Sequence, residues 1–135
     1  MEVPRSSGET VLVVEDDAPV LGLARRILET LGYTVMASAN PKDAIAMVWE
    51  HDGEIHLLIT DVVLPEMSGK DLAGEISKIR PGIRTLYMSG YTANVIAHHG
   101  VLDDGIHFIG KPFTSDSLAR KVREAMGARN AASGP

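Results

Sequence analysis

Four polar anchors stand where four short apolar runs stop. Val11–Val14 gives way to Glu15, Asp16 and Asp17, and His56–Thr60 ends in Asp61. Thr85–Met88 ends in Ser89, and Ile106–Gly110 ends in Lys111. Clustered carboxylates, a lone Asp, a hydroxyl and an ammonium together suit an aspartate that takes up a phosphoryl group. Carboxylates packed together repel, which raises their proton affinity unless a cation neutralises them. Oxygen ligands without Cys, and with no His at any of the four run ends, favour Mg²⁺ or Mn²⁺, which keep several of their waters. Lys111 adds a positive charge able to pair with an incoming oxyanion.

This chemistry requires the run ends to meet. They meet if the runs are parallel strands of one sheet, since open α/β sheets bind ligands at the carboxyl ends of their strands. The runs are continuous rather than alternating, as expected of strands covered on both faces. Helical patterns lie between them, which is the alternation of βαβ units in an α/β fold. Strands are expected near 10–14, 33–37, 56–60, 85–88 and 106–109.

The first helix is expected to start after Asp17 as N-cap, with Pro19 in its first turn. Val20, Leu23, Ala24, Ile27, Leu28 and Leu31 form its apolar stripe, and Gly32 stops it. Leu21 lies beside that stripe, where exposure would suit docking of a helical partner near the acceptor. Asn40-Pro41 opens a second helix to about Glu50, with Trp49 closing it against the sheet edge. A third carries Leu72, Ala73, Ile76 and Ile79 and ends before Pro81-Gly82. A short fourth is expected over Asn94–His99. The last opens at Thr114 or Ser115 and carries Leu118, Val122 and Met126, with Arg120, Lys121 and Arg123 on a solvated face. Residues 1–8 and 128–135 read as flexible ends around a single domain over 9–127.

Composition narrows the class. The chain has 135 residues, 44% hydrophobic and 23% charged, with a net charge of −5. That balance is ordinary for a soluble globular domain and argues against a surface that coats nucleic acid. The sequence has no cysteine, which excludes disulfides, Cys-ligated zinc and thiol catalysis. No apolar stretch reaches the ~18 residues of a membrane helix, and Met1–Gly8 lacks a signal-peptide core. A cytoplasmic location, with no direct contact to membrane or nucleic acid, is expected.

The motifs Val13-Val14-Glu15-Asp16-Asp17, Asp61-Val62-Val63-Leu64-Pro65-Glu66-Met67-Ser68-Gly69, Met88-Ser89-Gly90-Tyr91 and Lys111-Pro112-Phe113 resemble those of response-regulator receiver domains of the CheY-like superfamily. The resemblance covers about Glu9 to Met126. It implies a doubly wound, flavodoxin-like (CheY-like) fold, a five-stranded parallel sheet in the order 2-1-3-4-5. It implies that Asp61 accepts a phosphoryl group from a phosphohistidine and that Asp16, Asp61 and the Val63 carbonyl hold the cation, with Glu15 acting through water. Ser89 then hydrogen-bonds the phosphoryl group, Lys111 pairs with one of its oxygens, and Phe108 stands at the position of a switching aromatic. The Lys111-Pro112 bond resembles one that is commonly cis in the family. Pro65 and Gly69 shape the loop after Asp61, the glycine by permitting a positive φ. The implied partner is a histidine kinase or histidine phosphotransfer domain, and the implied role is an autocatalytic phosphoacceptor rather than an enzyme. Receivers at the ends of hybrid sensor histidine kinases carry similar runs. The chain is either such a domain or a stand-alone regulator, as a monomer or weak dimer.

Each anchor alone has a plainer reading: Glu15-Asp16-Asp17 as a capping cluster, Asp61 as a turn residue, Lys111 as a solvated charge. Their joint occurrence at four run ends is what carries the phosphoacceptor reading. His98-His99 is an exposed polar pair, because adjacent residues point apart on a helix. Three rivals fare worse. An Asp-x-Asp phosphohydrolase needs an acid where Val63 stands. A nucleotide binder needs a glycine-rich loop after the first strand. A degenerate receiver, acting only through protein contacts, would lack site residues that are present here. Val63 and Tyr91 each stand two residues past an anchor; Val63 offers no group to orient an attacking water and Tyr91 is bulky enough to cover the entrance, so both are expected to prolong the phosphorylated state.

Overall fold

The fold is that of a computed structural model describing residues 4–90 and 106–133, with side chains through Met126. The expected helix at Asn94–His99, with His98, His99 and Tyr91, lies outside the described residues. Among the described residues, five strands and four helices follow in order: β1 Thr10–Val14, α1 Ala18–Thr30, β2 Thr34–Ser38, α2 Pro41–Glu50, β3 Leu57–Asp61, α3 Gly69–Ile79, β4 Arg84–Ser89, β5 His107–Gly110 and α4 Ser115–Ser133. The strands form one parallel sheet in the order β2-β1-β3-β4-β5. Strand order reverses between β1 and β3, so the loops after those two strands part and leave a crevice at the carboxyl edge.

Alternation along the strands divides the core into two layers. Val11, Val13, Ile59 and Met88 face α1 and α4, meeting Ile27, Leu28, Leu118 and Val122. Leu12, Val14 and Leu58 face α2 and α3, meeting Val48, Leu72 and Ile76. The inner strands are buried on both sides, and this is why their sequences run apolar without a polar beat.

Local signals place the helix ends. Asp17 caps α1 by accepting the Val20 N–H at 3.4 Å. At its other end Tyr33 N–H donates to Leu28 O and Gly32 N–H to Glu29 O, both at 3.0 Å, with Gly32 at φ +97°. That pairing is a Schellman closure, which needs the left-handed conformation glycine supplies. Asn40 and Ser68 cap α2 and α3 through the N–H groups of Asp43 and Asp71.

Several expectations change. β2, β3 and β5 each start one residue later than the apolar runs suggested. Trp49 does not close α2 against the sheet edge; it is 69% exposed, because Ala44 and Val48 already fill the buried face of the helix. Leu23 belongs to no buried stripe and is 37% exposed, whereas Leu21 packs half-buried against the α1-side core. Arg123 is not on a solvated face. Its guanidinium donates to Glu9 Oε2 at 2.9 Å and to the Tyr33 hydroxyl at 3.4 Å. Within the lead-in, Ser6 N–H donates to Leu31 O at 2.9 Å and Arg5 to Thr30 O at 3.2 Å. α4 continues beyond Met126 to Ser133.

Candidate functional site

Strand register brings the anchors together. Val14 pairs with Thr60, which sets Glu15 beside Asp61 at the carboxyl edge. Ser89 pairs with Gly110, and the ladder extends when Lys111 N–H donates to Ser89 O at 2.9 Å. The Lys111 side chain then crosses back over the edge. Its Nζ lies 2.6 Å from Asp61 Oδ2 and 2.9 Å from Glu15 Oε2. The other oxygens also have donors: Val63 N–H reaches Asp61 Oδ1 at 3.2 Å, and Asp17 N–H reaches Glu15 Oε1 at 3.0 Å. The Lys111-Pro112 peptide is cis.

Glu15 and Asp61 are buried, whereas Asp16 is exposed. One oxygen from each of the three carboxylates lies within 4.8 Å of the others. Burial is the largest influence on Glu15 and, with the nearby charge of Asp61, raises its carboxyl to about 7 against the pull of Lys111 and the Asp17 N–H. Lys111 is itself partly buried, which works against its charge, but its hydrogen bonds to Asp61 and Glu15 prevail and raise its proton affinity. The two shifts are compatible because the ammonium is shared and makes its shorter contact with Asp61. One ammonium among three carboxylates leaves a net negative site. An all-oxygen donor set of that charge fits a small hard cation.

The site opens into a cleft of about 550 Å³ lined by Asp16, Asp61, Val63, Pro65, Gly90 and Lys111. A cleft of similar volume, about 540 Å³, lies at the amino edge of the sheet among Glu9, His56, Arg80, Arg84 and Arg123. Its charged groups are largely committed to structure. Arg80 donates to the backbone oxygens of Val48, His51 and Gly53, and Arg123 pairs with Glu9. The convergent chemistry is at the carboxyl edge.

Of the residues singled out in the sequence, Glu15, Asp16, Asp61 and Lys111 therefore meet, and Val63 and Ser89 border them. Ser89 is buried at the end of β4. Phe108 is half-buried in a small apolar cluster with Val62 and Tyr87. Gly69 carries a different constraint from the expected one. The positive φ in the loop belongs to Glu66, at 77°. Gly69 instead lets the start of α3 pass against β3: a Cβ there would lie 2.1 Å from the backbone oxygen of Asp61. Its N–H donates to Val62 O at 2.8 Å, fixing that approach. The glycine was visible in the sequence, but the reason for it was not.

Residues 11–123 match the response regulator receiver domain family, and the chain belongs to that family of two-component signalling domains. It is 36% identical to the sensor kinase CckA of Brucella abortus over 90% of its own length, but spans 13% of that kinase. It is 32% identical to the transcriptional regulator NtrC of Azospirillum brasilense, covering 89% of this chain and 24% of that protein. CpdR of Brucella abortus, a response regulator receiver protein, matches at 27% identity over 86% of this chain and 95% of its own. Among solved structures, the receiver domain of the hybrid histidine kinase CckA superposes with a TM-score of 0.73 at 29% identity, covering 87% of this chain and 98% of that one. A CheY-like receiver from Methanospirillum hungatei gives 0.78 at 26% identity, covering 93% and 99%. No described helix is long and apolar enough to cross a membrane.

Proposed function

We propose that this domain accepts a phosphoryl group on Asp61 from a phosphohistidine of a histidine kinase or phosphotransfer domain, and that the change at Asp61 alters its partner surface. The observation that carries the reading is the convergence on one aspartate of an ammonium at 2.6 Å and two further carboxylates. The site residues divide the work. Asp61 forms the new O–P bond while the N–P bond of the phosphohistidine breaks, and the imidazole leaves with the electron pair and is protonated from solvent. Asp16, Asp61 and the Val63 carbonyl would hold Mg²⁺ or Mn²⁺, with Glu15 adding negative charge through water. A divalent cation bound there would offset charge on the phosphoryl oxygens. Lys111 stays at the edge to pair with one of those oxygens, and the Ser89 hydroxyl donates to another. Phe108 repacks when Ser89 is drawn toward the phosphoryl group.

Incubation with acetyl phosphate and Mg²⁺, read by intact mass, tests this directly. The wild type should gain one phosphoryl group and Asp61→Asn none. Absence of labelling in a folded wild type would leave only a protein-interaction role, and equal labelling of the variant would move the acceptor elsewhere.

A further inference from the structure

Glu15 is the deepest of the three carboxylates, and both of its oxygens are engaged by the protein. It is 0% exposed, with Oε1 taking the Asp17 N–H and Oε2 taking Lys111 Nζ. Asp16 is its opposite: exposed, with no hydrogen-bond partner among the described residues. A ligand of a hard cation needs a free lone pair aimed at the ion, and Asp16 meets that condition better than Glu15. Lys111, for its part, comes from the far side of β4 and has to be held over β3. Its ammonium has two anchors, Asp61 Oδ2 and Glu15 Oε2. The first anchor is the group that reacts.

We infer that Glu15 is a positioning residue for Lys111: it retains the ammonium at the site when the oxygens of Asp61 are engaged by a cation, so that Lys111 is in place for the incoming phosphoryl oxygen. The inference rests on the phosphoacceptor reading above and assigns Glu15 a task within it. Side-chain length supports it. An aspartate would set the carboxylate back by about one C–C bond, ~1.5 Å, turning the 2.9 Å contact into a gap too long for a hydrogen bond. With Asp61 engaged and no second anchor, a lysine four methylenes long would turn toward solvent.

The test is NMR of the full chain, observing the ¹H–¹⁵N signal of the Lys111 ammonium. That signal is seen when hydrogen bonds slow exchange with water, and is assigned by its loss in Lys111→Met. The wild type should show it without cation and keep it in saturating Mg²⁺. Glu15→Met, of similar length but without an acceptor, should lose it in Mg²⁺ and take up phosphoryl from acetyl phosphate about tenfold more slowly, the loss of one charge-assisted hydrogen bond. Glu15→Asp keeps the charge and guards against a folding defect in the Met variant; it too should lose the signal in Mg²⁺. Three results would overturn the inference: no signal in the metal-free wild type, its disappearance when Mg²⁺ is added, or its persistence in either Glu15 variant. Failure of the wild type to accept phosphoryl would remove the acceptor reading itself, and the ammonium measurement separates that outcome from these.

Discussion

An alanine at position 69 would place its Cβ 2.1 Å from the Asp61 backbone oxygen, 3.1 Å from the Asp61 carbonyl carbon and 3.3 Å from Thr60 Cγ2. Real Cβ atoms essentially never approach closer than 3.0 Å, so α3 or the end of β3 has to give by about 0.9 Å. Neither is free to do so. The Gly69 N–H is tied to Val62 O at 2.8 Å, and Asp61 is paired with Met88 in the sheet. Overpacking of this kind costs about 1–3 kcal/mol. At about 4 °C per kcal/mol for a domain of this size, Gly69→Ala should lower the melting temperature by about 4–12 °C. The strain falls on the carbonyl of the acceptor residue, so acetyl-phosphate labelling should slow as well, by up to about a hundredfold if Asp61 is displaced by ~1 Å. Gly74→Ala is the control in the same helix: it is exposed, nothing lies within 4 Å of its Cβ position, and the swap should stabilise by about 0.5–1 kcal/mol. Circular dichroism melts and intact-mass labelling read both effects. A Gly69→Ala protein that melts within about 2 °C of wild type and labels at the same rate would refute the close approach.

Other perturbations have equally definite outcomes. Partial burial pushes the Glu9 carboxyl up, but Arg123 and the Ser7 and Ser6 donors outweigh it and hold it at about 2, below the ordinary 4.5. A depressed native pKa means stabilisation that is complete above pH 4.5 and is lost as the pH falls toward 2. Arg123→Met should therefore cost about 1–3 kcal/mol near neutrality, and denaturant titrations should show the gap to wild type closing across that acid window; a gap independent of pH would contradict the pairing. Mg²⁺ at about a hundred times its dissociation constant should stabilise the wild type by roughly 2.7 kcal/mol, and Asp16→Ala should abolish the rise in melting temperature. Val63→Asn puts an amide beside the acceptor where the wild type has none. Phosphate release after donor removal should be faster in that variant, and an unchanged rate would assign the lifetime to loop motion.

Much of this domain is written locally. The strand ends at Glu15, Asp61, Ser89 and Lys111 and the caps at Asp17, Asn40 and Gly32 follow from short-range rules. Apolar runs mark where a chain is covered on both faces, and cap side chains satisfy N–H groups only a few residues away. Because parallel strands align their carboxyl ends, the sequence alone assigns the four anchors to one edge. Pairings between distant parts of the chain were not written that way. Lys111 shares its ammonium between Glu15 and Asp61 across sequence separations of 96 and 50 residues, and Arg123 reaches Glu9 across 114. Trp49 sits in water although its residue type favours burial, because the position on α2 that faces the core is already taken by Val48. The need for glycine at position 69 arises only when α3 is laid against β3. Periodicity and capping specify which face of each element is buried and where it stops; which side chains then meet is decided by close packing of elements far apart in sequence, and no local pattern encodes those distances.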